Sequence, residues 1–308
     1  MDHSVGWSST HTTSNLRVGI GVVTYNRREL LKYTLDELLR YTGRSCCWVV
    51  ADDGSTDGTA DMVRSRFPGM AIVEGANRGV TWNRNRALWW LHIVQRCDVS
   101  ILIEDDTSPM QAGWEDDWIA AAQLHGHVNL AGEWFSGGFV RGSGTAADPI
   151  VSMGVSGQLS AFSRDAIDHV GFYDGRYRGY GMGHVEHSCR MIRAGYGGEV
   201  VRGAAGEFDE WQLRKPGAAL PSRPPEALFY LLRSPIEVID AGSCRLVDPG
   251  AEDRNIVNFA QTVHDQVHRT PWSSDGQMLE FRAEIAASRF DDDQSPRGQN
   301  IASRAASA

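Results

Sequence analysis

Long apolar runs are missing from this chain. No stretch approaches the ~18–20 apolar residues of a membrane span, and the polar, Ser/Thr-rich opening from Met1 to Asn15 has no secretory-leader core. A basic excess is missing too: 30 Lys and Arg stand against 39 Asp and Glu, for a formal net charge of −9. Nucleic acid and anionic lipid need clustered basic side chains and are therefore not expected as partners. A small phosphorylated ligand needs only a local site and stays open. Cysteine is sparse: Cys46, Cys47, Cys97, Cys189 and Cys244 are odd in number and match no zinc spacing. They are expected to be buried free thiols of a reducing compartment, and the chain is read as cytoplasmic, with no transmembrane segment. Internal repeats are not visible.

What remains is an ordinary globular composition, 42% apolar and 22% charged over 308 residues, enough for one large α/β domain with an extension or for two modest domains. Residues 17–24 are β-rich and almost all apolar, as a buried parallel strand would be. Further strands are expected at Trp48–Ala51, Ala71–Glu74 and Val99–Ile103. Helices are expected between them: one capped by Asn26 with Glu29 three residues on and carrying Leu31, Leu35, Leu38 and Leu39, one from near Thr59, and one over Thr81–Arg96. Strand–helix alternation predicts a mostly parallel sheet flanked by helices, with any ligand at the carboxyl ends of its strands. Two more helices are expected, at Arg164–Val170 and Glu186–Arg193. The prolines between Pro216 and Pro225 mark a linker. The expected organisation is a disordered tail over 1–15, a catalytic domain over 16–205, a mainly helical extension over 206–290 and a disordered tail over 291–308.

Five polar constellations fall at or near the expected strand ends. Thr24-Tyr25-Asn26-Arg27 could hydrogen-bond and stack a nucleobase, although a rim tyrosine is an ordinary structural feature. Asp52-Asp53-Gly54-Ser55 pairs two carboxylates that need a cation, a helix N-terminus, or a base or ribose donor; a solvated, capping turn would equally explain them. Asn77-Arg78-Gly79 and Asn83-Arg84-Asn85 offer arginine to a diphosphate, or plain surface charge. Glu104-Asp105-Asp106 ends an apolar strand with three acids, an arrangement that favours magnesium or manganese with phosphate oxygens completing the shell. Gly179-Tyr180-Gly181-Met182-Gly183-His184-Val185-Glu186 lets backbone approach a substrate and supplies His184 and Glu186 as proton acceptors.

Taken in order, these segments resemble the family 2 type of GT-A-fold glycosyltransferases, over residues 17–205. The motifs are Val22–Arg27, Asp52–Thr59, Asn77-x-Gly79 with Arg84-Asn85, Glu104-Asp105-Asp106 with Pro109 and Trp114, and Phe162–Asp174. The resemblance implies the nucleotide-diphospho-sugar transferase fold and transfer of a sugar from a nucleotide-diphosphate donor to an unidentified acceptor hydroxyl or amine. It implies a single in-line displacement with inversion, assisted by Mn2+ or Mg2+. Thr24, Tyr25, Asp52 or Asp53, Asn77 and Arg84 would hold the donor. Glu104 and Asp106 would hold the metal, Asp106 the surer of the two because Glu104 replaces the family's first Asp. Tyr180-Gly181 is similar to the Trp-Gly of β-1,4-galactosyltransferases. Aligning Arg190 with the family's helical arginine puts His184 in the slot of the catalytic acid, with Glu186 as the base if the register slips. The other readings are His184 as a metal or substrate ligand, and a loss of base function at this position. The alternatives are a non-catalytic nucleotide-sugar-binding protein and a sugar-1-phosphate nucleotidyltransferase, whose Gly-rich loop after the first strand is absent here.

Overall fold

The computed structural model describes residues 15–200 and 227–239. The first half alternates as the apolar pattern requires: β1 (Val18–Thr24), α1 (Arg28–Tyr41), β2 (Cys47–Asp52), α2 (Thr59–Arg66), β3 (Ala71–Glu74), α3 (Val80–Trp89) and β4 (Val99–Glu104). Then follow β5 (Thr107–Pro109), α4 (Trp114–His125), β6 (His127–Leu130), β7 (Phe139–Arg141), β8 (Ile150–Ser152) and β9 (Leu159–Ser163). The described residues end with α5 (Arg164–Val170), α6 (Gly183–Arg193), β10 (Gly198–Val200), β11 (Ala227–Leu232) and β12 (Ile236–Val238). The main sheet runs β3-β2-β1-β4-β9-β6-β11-β8-β7, with β10 beside β11. Its first four strands are parallel; β9 is antiparallel to both β4 and β6. Strand order reverses between β1 and β4, and a crevice opens at such a reversal outside the carboxyl ends.

Side chains of β1 alternate between two apolar layers, as the two-residue period of a strand dictates. Val18, Ile20 and Val22 join Leu31, Leu35 and Leu38 of α1 and Trp118 of α4. On the other face Val23 joins Trp82, Ala87 and Leu88 of α3, with Leu91 beyond it. Gly19 and Gly21 let this second layer come close: a Cβ at Gly21 would lie 3.0 Å from the Ala87 Cβ, and one at Gly19 would lie 2.8 Å from the Cys97 Sγ. A sheet covered on both faces accounts for the nearly unbroken apolar run of β1.

Three sequence expectations are corrected. Asn26 is not the cap of α1: the N-cap position falls on Arg27, without a side-chain cap. Asn26 takes a left-handed φ of 51° and bonds the neighbouring loop, accepting from Thr56 N at 2.7 Å and donating its own N–H to Ser55 Oγ at 2.8 Å. The expected Thr81–Arg96 helix is α3 followed by a π-helical turn over Trp90–Val94. The extension read as mainly helical contributes strands where it is described, because β11 inserts between β6 and β8, and β12 pairs β5. The remainder of that extension and both expected disordered tails, Asn15 apart, lie outside the described residues.

The loop before α3 and the loop before α6 meet backbone to backbone at Gly79 and Gly179, where Val80 N donates to Gly179 O at 3.1 Å. Gly79 has φ 93° and ψ 165°, a region that side chains essentially exclude. A Cβ there would overlap Gly179 N and lie 2.8 Å from its Cα. Gly79→Ala is therefore expected to lose about 1–3 kcal/mol from backbone strain alone. Gly69→Ala, with nothing within 4 Å of the new Cβ, is expected to stay near wild type. Urea denaturation of both variants checks this; equal midpoints would contradict the close approach.

Candidate active site

A cleft of ≈ 750 Å³, its open mouth included, lies at the reversal of strand order. Its floor is Val23 and Thr24 at the end of β1 and Glu104 and Asp105 at the end of β4; Tyr25 and Arg27 line it from the loop after β1. Asp53 and Asn83 line another side, and Asn77, Gly79 and Val80 meet Gly179 and Tyr180 at the rim.

The two aspartates after β2 divide their work. Asp52 turns to its own loop, accepting from Ser55 N at 3.0 Å and Ser55 Oγ at 2.5 Å, and does not line the cleft. Asp53 does. It accepts from Arg78 N at 2.9 Å, Gly79 N at 2.7 Å and the buried Arg86 Nη1 at 2.6 Å. Arg86 also donates to Ala76 O at 2.7 Å and Asn83 Oδ1 at 3.0 Å. Asn83 Nδ2 in turn reaches Ala51 O at 2.7 Å and Thr24 O at 3.2 Å. One turn of α3 thereby fastens the ends of β1 and β2 and the rim loop to each other.

The acids after β4 are likewise divided. Glu104 pairs with Arg84, which is buried, donates to Gly157 O at 2.8 Å and lies 5.6 Å from the Tyr173 ring centre. Asp105 accepts from Thr24 Oγ1 at 2.6 Å and Arg27 Nη1 at 2.9 Å. Asp106 accepts from Arg27 Nη1 at 3.3 Å and Thr107 Oγ1 at 3.1 Å, beneath the cleft lining.

The structure thus brings Thr24, Tyr25, Asp53, Asn77 and Glu104 together in one cleft and leaves Asp52, Arg84, Asp106, His184 and Glu186 off its lining. His184 stands behind Arg84: a Cβ placed at Gly157 would lie 2.8 Å from Arg84 Nη2 and 2.9 Å from His184 Cγ. Glu186 faces the other way. Arg190 takes both its oxygens, Nε at 2.5 Å and Nη2 at 3.0 Å, in a pair buried on both sides.

Residues 20–91, running from β1 into the turn after α3, match the family model described as Glycosyl transferase family 2. That stretch is similar to family 2 glycosyltransferases. The matched stretch is under half of the chain, yet it supplies Thr24, Tyr25, Arg27, Asp53, Asn77 and Asn83 to the cleft. Among solved structures, a mannosyltransferase from Pyrobaculum calidifontis in complex with GDP-Man and Mn2+ is 17% identical, with TM-score 0.46, covering 88% of this chain and 86% of that one. GalNAc-T7 with UDP, GalNAc and Mn2+ is 14% identical, with TM-score 0.46, covering 88% and 54%. S. aureus TarS is 16% identical, with TM-score 0.40, covering 53% and 31%. The chain therefore spans well under two thirds of the last two. No curated protein sequence matches the chain.

The electrostatics of the cleft centre on its acids. Burial, then the neighbouring Glu104 and Asp105 charges, raise Asp106 to about 7. Burial raises Asp105 to about 6 against the pull of Arg27 and Thr24, and burial also raises Asp53 against its three donors. His184 moves the opposite way, to about 3, because burial and then the Arg84 charge disfavour imidazolium. Among the described residues no three His, Cys, Asp or Glu side chains are gathered to hold a metal. The residues present nonetheless fit a hard divalent cation that takes part of its shell from a ligand's phosphates: the donors are carboxylate oxygens, and the crowding that raises Asp106 is what a cation would relieve.

Sequence reasoning left Arg27, Asn83, Asp105 and Arg86 without a site role. For Asn83 and Arg86 the available signal was their i, i+3 spacing, which puts both on one helical face. Asp105 stood out only as one of three adjacent acids and Arg27 only within its constellation; that the two pair carried no local signal, since which arginine meets which acid depends on strand order.

The raised pKa of Asp106 gives a stability signature. An acid with a folded pKa above its unfolded value, ~3.9, binds more protons when folded, so the fold loses stability as pH climbs from ~3.9 to about 7 and levels off above that. Asp106→Asn cannot ionise. Without divalent cation, its melting-temperature advantage over wild type is expected to be small near pH 4, to grow as pH rises toward 7, and to be full near pH 8. A difference that stays constant across that range would contradict the crowded-acid description.

Proposed function

We propose that the protein transfers a sugar from a nucleoside-diphosphate donor to an acceptor hydroxyl or amine, with inversion and with help from Mn2+ or Mg2+. The observation that carries this reading is the single cleft in which Tyr25 and Asp53 lie across from Glu104 and Asp105 at the reversal of strand order. The nucleobase would lie against Tyr25, with Asp53 and the rim N–H groups holding base and ribose. The diphosphate would lie toward the β4 acids. A divalent cation held by Asp106 and Glu104 would supply charge neutralisation for the departing diphosphate. Asn77 at the rim and Arg84 behind Glu104 support donor placement, Arg84 by fixing the glutamate rather than by direct contact. Asp52 supports it by shaping the loop that carries Asp53.

Of the two proton acceptors, His184 is the better supported. Its imidazole, lowered to about 3 by burial and then the Arg84 charge, is unprotonated although a weak base, and it sits beside Arg84 and Gly157. Glu186 has both oxygens engaged by Arg190. We assign the base to His184, taking the acceptor's proton as the bond forms, and a structural role to Glu186.

Two variants separate these roles. His184→Ala is expected to lower turnover by about 10²–10⁴ while leaving the melting temperature and donor affinity close to wild type. Glu186→Gln removes the charge partner of the buried Arg190, which keeps its bonds to the Val170 and Phe172 carbonyls, and is expected to cost ~3–5 kcal/mol of stability, with near-normal turnover in the fraction that folds. Turnover is read as release of nucleoside diphosphate from UDP- and GDP-sugars with manganese. Normal turnover in His184→Ala beside a stable but inactive Glu186→Gln would overturn the assignment. Release in neither wild type nor variants, across all donors, would overturn the function.

A further inference from the structure

The acid cluster already holds a cation of its own. Arg27 Nη1 lies 2.9 Å from Asp105 Oδ1 and 3.3 Å from Asp106 Oδ2. The other oxygens of these two acids face hydroxyl donors, Thr24 Oγ1 on Asp105 and Thr107 Oγ1 on Asp106, and Arg84 occupies Glu104. Both oxygens of Asp105 and of Asp106, and Oε1 of Glu104, are therefore engaged by hydrogen donors. The weakest of these contacts by length is the 3.3 Å one from Arg27 to Asp106.

The two arginines differ in how they are held. Arg84 rises from the middle of α3, with 3% of its side chain exposed, and is fixed by Gly157 O. Arg27 stands in the loop between β1 and α1, with 19% of its side chain exposed, and lines the cleft itself. A small rotation of its long side chain would carry the guanidinium from the acids to where the reading above puts the donor's diphosphate. Guanidinium matches phosphate oxygens as well as it matches carboxylate.

We propose that Arg27 is a built-in counter-ion that competes with the divalent cation for Asp106, and that it passes to the diphosphate when the cation enters. The inference rests on the nucleoside-diphosphate reading of the cleft. It has a consequence of opposite signs. Removing the Arg27 charge removes a competitor of the cation, so the cation alone should bind more tightly. The same change removes a phosphate partner, so nucleoside diphosphate at saturating cation should bind more weakly. A merely structural arginine would lose both together.

The experiment is a titration of the full chain at pH 8 with manganese alone, read by electron paramagnetic resonance of free Mn2+. Calorimetry with UDP and with GDP at saturating manganese follows. Wild type is compared with Arg27→Gln and with Arg27→Met, which keeps the apolar stem, and circular dichroism identifies the variants that fold. Arg27→Lys, which retains the charge, should stay near wild type in both titrations. The expected result is about tenfold tighter manganese in a folded charge-removing variant, with nucleotide weaker by a similar factor, within the ~5–150-fold usual for coupled sites. Unchanged or weaker manganese affinity overturns the competition, as does failure of both charge-removing variants to fold while Arg27→Lys folds. If wild type binds neither nucleotide while the variants still gain manganese affinity, the donor reading falls and the competition with the cation stands.

Discussion

Glu104, Asp105 and Asp106 meet at the carboxyl end of β4, set against the guanidiniums of Arg27 and Arg84. Three carboxylates leaving a buried strand together would be strongly unfavourable without compensation. Much of the surrounding structure answers that charge. The hydroxyls of Thr24 and Thr107 bond individual oxygens, and Thr34 Oγ1 holds the Asp105 carbonyl at 2.6 Å. Even so, burial and then the Glu104 and Asp105 charges keep the pKa of Asp106 raised, so its ionised form is not fully compensated. A site held slightly short of positive charge is what the proposed uptake of cation and diphosphate together would require.

That charge is useful only if the strand ends keep their places. Asn83 and Arg86 do this from α3, tying Thr24 and Ala51 carbonyls, Asp53 and the Ala76 carbonyl into one buried set. The glycines of β1 let α3 approach closely enough for those bonds to form. Packing and polar positioning therefore share a cause: Gly21 gives Ala87 its close approach, and one turn of the same helix carries Asn83 and Arg86.

The sequence made the scaffold readable where burial on both faces wrote unbroken apolar runs. The expected strands differ from β1 to β4 by a residue or so at each end, and α5 covers Arg164–Val170 as its pattern indicated. Thr24, Tyr25, Asp53, Asn77 and Glu104 were legible because polar residues after such runs must lie at the carboxyl edge. Contacts between segments were not legible. Asn26 matched a capping box, but tertiary bonds to Ser55 and Thr56 outcompete the local cap. Ala-Leu-Phe-Tyr-Leu-Leu at 227–232 is an apolar run too short to distinguish helix from strand by period, and only the open edges of β6 and β8 decide it. Glu186 and His184 lie two residues apart on α6, so their side chains leave the helix in widely different directions; the bidentate grip of Arg190 on Glu186 separates their roles.

The central claim is that donor and cation share the one cleft between β1 and β4. The most direct measurement is a crystal structure of the wild-type protein grown with manganese and UDP or GDP. The account expects the nucleobase in contact with Tyr25 and Asp53, the diphosphate at the Glu104–Asp106 end, and manganese between the phosphates and Asp106. A nucleotide bound with its diphosphate away from all three acids, or with its base beyond the ~7 Å reach of a stacked or tilted ring contact with Tyr25 and out of touch with Asp53, would contradict it.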